Sequence, residues 1–406
     1  MNTFTFTLFG ETLRLSSEPI ALFFAVFSTV VGFLIFLYSL PYTKGKARRA
    51  EFYSYLCLFW LGMLGLVFSG HLILLYLFWE VTALSSWRLI GFYRKPADIK
   101  AANNALLVTF GGSSLMLLAF ILIYLQTNTF DLASLAGFRL NNLTYLLILA
   151  GILSKSAIFP FNEWLPAAGI AAAPVTAFLH AAVLVKIGLY AFIRLFYTVF
   201  IPPAGVVYLP YLFIASCLIT GFAALREDDF KRLLAYSTIS QISLIYFSLS
   251  LFTSIGLTGA FVFILAHAFG KSGLFLTAGI IEHETGERNI TKMGGYFKSQ
   301  PLLSALFLVS ALSVIGIPPF LGFWGKFMLM AAPFAINNLG LGLLGILAGG
   351  LTLIYLLRAF HYVFLGKENL PFLHPVPKLF YGSISVLAFF SLLLGLWPNL
   401  ILFIFK

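Results

Sequence analysis

Five ionisable side chains lie where ionisation is expensive. Glu80 sits inside LLYLFWEVTALSS, Lys155, Lys186 and Lys271 fall near the middle of long apolar runs, and Lys326 follows a double proline in GIPPFLGFWGKF. His267 precedes Lys271 by four residues in LAHAFGKSGLFL, so a helix puts both on one face, and His180 stands six residues before Lys186 in another run. At about 2.5–3.5 kcal/mol per charge at a bilayer centre, five such groups facing lipid would cost on the order of 12–18 kcal/mol. They must face one another, or water, inside a bundle. Static ion pairs are one reading, but one Glu cannot neutralise four Lys, and an excess of buried ammonium groups can exchange protons with neighbours. The chemistry this pattern suits is a proton relay. Imidazole accepts at one nitrogen while donating at the other, which favours proton transfer for His267 beside Lys271. For His180 that role and a hydrogen-bonded core role stand level. Arg88, Arg194 and Arg358 fall within about two turns of the ends of their runs, where a long side chain can snorkel to the headgroups.

Prolines mark the second feature. Pro160 and Pro166 follow Lys155 in SKSAIFPFNEWLP, and Pro318 and Pro319 precede Lys326. Proline frees carbonyls, and such backbone is tolerated at membrane depth where protein buries it or it lines a hydrated cavity. Paired interruptions in the two halves of a chain point to a transporter built from inverted repeats; a packing kink is the plainer alternative for each. The order of features in each half suggests the repeat, which direct identity does not reveal.

The elements that must hold these residues follow from composition. Of 406 residues, 61% are hydrophobic, 17% aromatic and only 10% charged, with a mean hydropathy of +0.99. Ordinary soluble domains carry about 25% charged and about 45–50% apolar residues, so this balance excludes a soluble domain, disorder, a coiled coil, a repeat solenoid and a nucleic-acid module. The formal charge of +11 comes from Lys and Arg scattered between apolar runs, which is what membrane topology produces. Cys57 and Cys217 stand far apart with no CxxC and no His-Cys cluster, so neither a disulfide framework nor a zinc or iron–sulfur site is expected, and no histidine pair is singled out for haem. No metal and no cofactor are predicted.

Runs this long and continuous are helices, not barrel strands. Candidate spans fall near 20–40, 52–69, 71–93, 104–125, 143–164, 174–199, 206–225, 231–253, 256–283, 301–335, 339–364 and 378–404, about twelve in all, with 301–335 broken at Pro318-Pro319. Residues 3–8 alternate with period two and carry no basic n-region, which reads as a short extended external segment and not a signal peptide. With the N-terminus outside, fifteen Lys and Arg (among them Lys44, Arg94, Lys231 and Lys298) fall in inside loops against Arg14, Arg139 and Lys406 outside, a bias that puts both termini outside. The expected organisation is an external segment 1–19, a first helix and basic loop 20–50, five-helix repeats over 51–199 and 200–365, and a C-terminal loop and helix over 366–406.

Six motifs in order, FWEVTALSSWRLIGF, SKSAIFPFNEWLP, APVTAFLHAAVLVKIGLYAFIR, FKRLLAYSTISQ, HAFGKSGLFLTAGIIEHETG and GIPPFLGFWGK, resemble the antiporter-like subunits of respiratory complex I, group 4 membrane-bound hydrogenases and Mrp-type Na⁺/H⁺ antiporters. The histidine in LHAAVLVK and the HETGERN segment look most like the large Mrp A subunit and its hydrogenase and complex I relatives. The resemblance implies an all-α polytopic fold with two inverted five-helix repeats, each carrying a broken helix and a half-channel. It implies that Glu80 is the glutamate that pairs with Lys155 of the first broken helix, that Lys186 bridges, that His267 and Lys271 form the central pair, and that Lys326 ends the axis on the second broken helix. Arg88 lies where many relatives are apolar. Against the family core, the expectation is a chain shortened by two N-terminal helices and lacking the long lateral helix.

The implied function is a proton-translocating subunit of a multisubunit membrane complex, Mrp-type or redox-driven, with no redox or hydrolytic site of its own. Its partners would be other membrane subunits, with or without a peripheral redox arm, the lipid bilayer and H⁺, with any Na⁺ path elsewhere in the complex, because ammonium groups repel Na⁺. No nucleic acid is expected, and the location implied is a prokaryotic cell membrane. The alternatives are an energising component of a non-redox uptake system, such as inorganic-carbon transport, and an inert scaffold.

Overall fold

The computed structural model describes residues 3–8 and 11–402. Lys406 and the end of the expected last span lie outside the described residues. The chain opens with an antiparallel hairpin, β1 (Thr3–Leu8) and β2 (Glu11–Ser16), in which Thr3 pairs with Ser16 and Leu8 with Glu11. Helices α1 (Pro19–Tyr42), α2 (Arg49–Phe68), α3 (Leu72–Ile90) and α4 (Pro96–Thr127) follow, then the two-residue strand β3 (Phe138–Arg139) and α5 (Asn142–Lys155). After α5 the chain passes through the single turns α6 (Trp164–Ala167) and α7 (Ala173–Ala177), a π-helical stretch at Phe178–Ala182, α8 (Leu184–Ile193) and a second π stretch at Arg194–Val199. Strand β4 (Phe200–Ile201) pairs in parallel with β3. Then come α9 (Leu209–Arg226), α10 (Phe230–Leu249), α11 (Ser254–Thr285), α12 (Tyr296–Ser299), α13 (Pro301–Ile315), α14 (Leu321–Ala335), α15 (Leu339–Phe364), α16 (Lys378–Leu396) and α17 (Asn399–Leu402).

The fold is helical and polytopic. Among the described residues nine helical stretches are long and apolar enough to cross a membrane, and α5, α13 and α14 are shorter apolar pieces. Helix α10 is as long as α2 but rich in Ser, Thr and Gln, and its second half, from Ser237 to Leu249, is buried throughout. The expected span at 143–164 stops at Lys155, and the expected long span at 301–335 is broken between α13 and α14. A helix that is hydrophobic all round must be central. The apolar windows of α11 and of residues 173–199 are wholly buried, whereas α2, α4 and α16 leave more than half of theirs uncovered, as lipid-facing helices do.

The chain forms two compact units. One gathers Met1–Val30, Ala47–Trp164 and Val183–Val207, and the other Val31–Lys46, Leu165–Ala182 and Tyr208–Lys406. These units cut the chain differently from the expected repeats 51–199 and 200–365, because residues 165–182 pack with the second unit.

Within each unit the same plan appears. Helix α2 is followed by α3 and the 32-residue α4, and α9 by α10 and the 32-residue α11. In the first unit Leu72 N donates to Phe130 O and Leu132 N to Gly70 O; in the second Phe230 N donates to Arg288 O and Ile290 N to Asp228 O. The broken helices end alike. At α5, Ile158 N reaches back to Leu153 O and Ala157 N to Ser154 O; at α13, Ile317 N reaches Leu312 O and Gly316 N reaches Ser313 O. This is the Schellman pattern, and its left-handed residue is Ala157 (φ 55°) in one and Gly316 (φ 90°) in the other. Over the fourteen aligned positions, 154–167 and 313–326, only Ser154/Ser313, Ile158/Ile317, Pro160/Pro319 and Phe161/Phe320 are identical, which is why sequence identity hides the correspondence.

Candidate functional site

In the first unit the break delivers Lys155 to the interior. Its side chain is wholly buried, and Nζ donates to Trp79 O at 3.1 Å while lying 5.5 Å from the Trp79 ring. Trp79 O also accepts from Thr82 Oγ1 at 2.7 Å, so one carbonyl of α3 serves two donors. Glu80, the next residue, is half-buried; among the described residues it makes no ion pair with Lys155, whose ammonium is nonetheless within its Coulomb reach. The direct pairing that the resemblance implies is therefore replaced by a carbonyl contact one residue earlier. The reason is helical phase. Trp79 is wholly buried, whereas Glu80, one position on, lies half-buried beside Tyr76 with its Oε1 shielded from solvent.

Trp164 Nε1 donates to Ser154 O at 3.0 Å, capping a carbonyl at the end of α5. Ser156 Oγ donates to Val185 O at 3.5 Å, which ties the residue after Lys155 to the residue before Lys186. Lys186 is wholly buried on α8, just past the irregular Val183. π stretches on both sides of α8 shift its helical register, a departure found often at functional sites.

In the second unit the sequence-predicted residues line up along α11. Phe263, His267, Lys271 and Phe275 recur every four residues, so they share a face over about 18 Å at 1.5 Å rise per residue. At one end His180, in its π turn, stacks on Phe275 with ring centroids 4.5 Å apart and planes 25° apart. Lys271 Nζ donates to Leu234 O at 3.2 Å and to Ser237 Oγ, both on α10. At the other end Phe263 meets the His267 ring edge-on at 6.3 Å and carries Lys326 Nζ 5.3 Å from its centroid. Lys326 Nζ also donates to Val314 O at 2.8 Å, satisfying one of the last carbonyls of α13 that the break leaves without a helical partner. His180, His267 and Lys271 are wholly buried and Lys326 nearly so.

The glycines of the second break permit this approach. A Cβ on Gly322 would lie 1.7 Å from Ser313 O, and one on Gly325 2.6 Å from Phe263 N. Pro160, Pro318 and Pro319 all stand at the breaks, exposed, with cis bonds at Phe159–Pro160 and Pro318–Pro319.

The three arginines read as snorkelling are tied to carboxylates instead. Arg88 pairs with Glu51, Arg194 with Glu18 while donating to Thr198 Oγ1 at 3.0 Å, and Arg358 with Asp228 while donating to Glu227 O at 2.9 Å. Near a span's end a guanidinium is stabilised more by a fixed carboxylate than by solvent alone. Such pairs join residues far apart in sequence, as with Arg194 and Glu18, and nothing in the local pattern announces them.

Lys231, counted from sequence among the loop cations, is almost fully buried: Nζ lies 2.5 Å from Glu282 Oε2 and donates to Ala171 O at 2.9 Å. In the loop after α1, burial lowers the pKa of the Lys46 ammonium, Glu282 partly offsets this, and Nζ rests 4.0 Å over the Tyr42 ring. Sequence reasoning also missed Phe263 and the polar face of α10; a run of Ser and Gln inside an otherwise apolar span was the available signal.

A family model described as NADH:quinone oxidoreductase/Mrp antiporter, transmembrane, matches residues 69–352. The A1 component of the Na⁺/H⁺ antiporter of Staphylococcus aureus, in strains JH9 and Newman, is 33% identical over 430 residues, an alignment covering 97% of this chain and 53% of the relative. The chain thus spans about half the length of these curated relatives. In the structure of the Mrp complex from Dietzia sp. DQ12-45-1b, one chain superposes with a TM-score of 0.89 at 23% identity, covering 99% of this chain and 86% of that one, a likeness of fold. With the family model matched across most of its length, from before α3 into α15, the chain belongs to the NADH:quinone oxidoreductase/Mrp antiporter family of membrane proteins.

Proposed function

We propose that this chain is an antiporter-like, proton-translocating subunit of a multisubunit membrane complex of the Mrp type. The observation that carries this reading is the ladder on α11, where the buried His267 and Lys271 share one face and the buried Lys326 of α14 docks at its end on Phe263. Among the described residues, Lys155, Lys271 and Lys326 have no carboxylate within ion-pair distance and are held by carbonyls, hydroxyls and ring faces. A charge held that way is sensitive to any neighbouring charge, because no fixed counter-ion screens it. In this reading a proton or charge arriving near Glu80 biases Lys155. The change passes by way of Lys186 to His267 and Lys271, with His180 at one end of the ladder, and leaves at Lys326.

The identity to the A1 component of a Na⁺/H⁺ antiporter favours an Mrp-type complex over a redox-driven pump. The axis itself suits H⁺. Na⁺ wants oxygen ligands and is repelled by ammonium groups, so sodium would cross elsewhere in the complex, among partner membrane proteins. The excess of Lys and Arg in alternate loops supports a bacterial cell-membrane protein with both termini outside.

The test uses the assembled complex in everted vesicles, reading Na⁺-dependent dissipation of a pH gradient with a fluorescent dye. Lys155→Met and Lys326→Met are each expected to lower the rate at least about tenfold while the complex still assembles. Unchanged transport in both variants would reduce the axis to packing.

A further inference from the structure

At the end of the first unit that holds the Arg88–Glu51 pair, a cavity of about 300 Å³ opens between α3 and α4, lined among others by Trp87, Arg88, Arg94, Ile99 and Asn103. Its charge is unbalanced. Glu51 is the shared carboxylate for Arg88, for Arg94 at 3.8 Å and for Arg48 at 4.0 Å, which leaves two positive charges in excess around one acid. Asp98, the nearest acid in sequence on α4, is buried and accepts from Lys95 N at the helix start. Trp87 Nε1 donates to Asn103 Oδ1 at 2.9 Å, an exposed bond that bridges the two helices at the cavity.

From the cavity an apolar track runs along the same helical faces. Leu84 lies one turn from Trp87 on α3, and Leu107 and Phe110 continue the Ile99–Asn103 line on α4. Leu84, Leu107 and Phe110 are 53%, 71% and 51% exposed.

We propose that this cavity binds the phosphate of an anionic phospholipid, with the acyl chains lying along the α3–α4 track. Guanidinium forks match phosphate oxygens two at a time, and a pair of surplus cations at the end of a membrane helix is the charge pattern that recruits anionic headgroups. The indole bridge suits the interfacial depth. The track follows the helix axes, as a chain of methylenes does, and a free phosphate would leave it uncovered.

The test takes the purified full chain in neutral detergent and titrates dioleoylphosphatidylglycerol, dioleoylphosphatidylcholine and inorganic phosphate separately, reading bound lipid by native mass spectrometry and stabilisation by thermal unfolding. Phosphatidylglycerol should bind at least about fivefold more tightly than phosphatidylcholine, and Arg94→Gln should weaken it about fivefold, the effect of one cation near an anionic surface. Arg94 is exposed, so this variant keeps the fold, whereas Arg88→Gln removes the tightest partner of Glu51; Asn103→Leu, which breaks the indole bridge, is the second variant and should weaken binding as well. Equal binding of the two lipids, or binding unmoved by both variants, overturns the proposal. So does stabilisation by inorganic phosphate alone to the same extent, which would make this a free-anion site. In the intact complex, a photo-crosslinker at Ile99 that captures another protein and no lipid would overturn it too.

Discussion

At the break after α5 the ammonium comes two residues before the left-handed position; at the break after α13 it comes ten residues after it. Both helices stop with the same hydrogen bonds. In the first, an indole from the far side of the break caps Ser154 O, and Lys155 is released to reach across to α3. In the second, the lysine itself comes from the far side and caps Val314 O, the position that aligns with Lys155. The central lysine differs in the same way. Lys271 rises from α11 to meet Ser237, while on α4 the corresponding position, on a helix of equal length, is Ser113. The backbone has been kept in both units and the charges redistributed over it. Like helix ends supply ordered carbonyls at set places, and a lysine can be brought to them from either side of a break without rebuilding the helices.

The sharpest way to break this comparison is at the chain's re-entry into helix. A Cβ on Gly322 would collide with Ser313 O, a backbone atom that cannot step aside, whereas the aligned residue in the first break, Glu163, already carries a side chain and is exposed. Gly322→Ala is expected to cost ~3 kcal/mol of stability or more, as overpacking against backbone does, and Glu163→Ala less than ~0.5 kcal/mol. Unfolding in detergent measures both. Similar costs at the two sites would mean that the breaks are not packed as differently as their geometry states.

A smaller test uses the left-handed residues themselves. Ala157 pays the penalty of an L side chain in this conformation, of about 1–2 kcal/mol, and Gly316 avoids it. Ala157→Gly should therefore stabilise the protein, by less than ~1 kcal/mol after the extra freedom that glycine gives the unfolded chain is subtracted. Gly316→Ala should destabilise by about 1–2 kcal/mol, the more so because the new methyl would press on Lys326 Cδ at 3.1 Å. Shifts of the same sign would show that the two caps do not share one conformation.

How much of this could be read from the sequence depended on cost. A lysine or glutamate in an apolar run is so expensive in lipid that its inward placement is almost forced, and Lys155, Lys186, Lys271 and Lys326 are all buried as that argument requires. Glu80 was legible as an acid inside an apolar run, but what Lys155 would meet was not, because a rotation of about 100° between neighbouring helix positions decides whether Trp79 O or the carboxylate meets Lys155. Phe263 was invisible, since a phenylalanine in a run of phenylalanines announces nothing until Lys326 is found over its ring. The likeness of the two breaks was illegible for a related reason. Its signature lies in which N–H reaches which carbonyl, and Ala157 performs the same turn as Gly316 despite being a different residue.

The last and smallest contrast lies outside the spans, at the paired bridges. His71 bridges Asp131 in the first unit and Asp229 bridges Asn289 in the second, so the acid has changed strands. In the first unit the bridge also holds the N-terminal hairpin: Gly70 N donates to Arg14 O at 2.7 Å, and Arg14 lies 2.8 Å from Asp131. Burial alone would raise the Asp131 carboxyl, but the N–H and hydroxyl of Ser134, together with Arg14, outweigh it and hold the group below its ordinary range. For a carboxylate shifted that way, the stabilisation is complete above the unfolded-chain value of about 3.9 and is lost only as pH falls through the lower folded value. Both side chains are about a quarter exposed, so solvent screening keeps the pair's worth within ~0.2–1 kcal/mol. Amide exchange over residues 13–16 should therefore stay slow down through the ordinary carboxylate range and quicken only below it. Asp131→Asn, which keeps an acceptor for Ser134 N but no charge, should speed exchange by roughly twofold near neutral pH and flatten its acid dependence. If the native hairpin loosened already above about pH 5, where a carboxylate of ordinary pKa begins to titrate, some other acid would be holding it, and Asp131 would be a turn residue like Asn289 in the second unit.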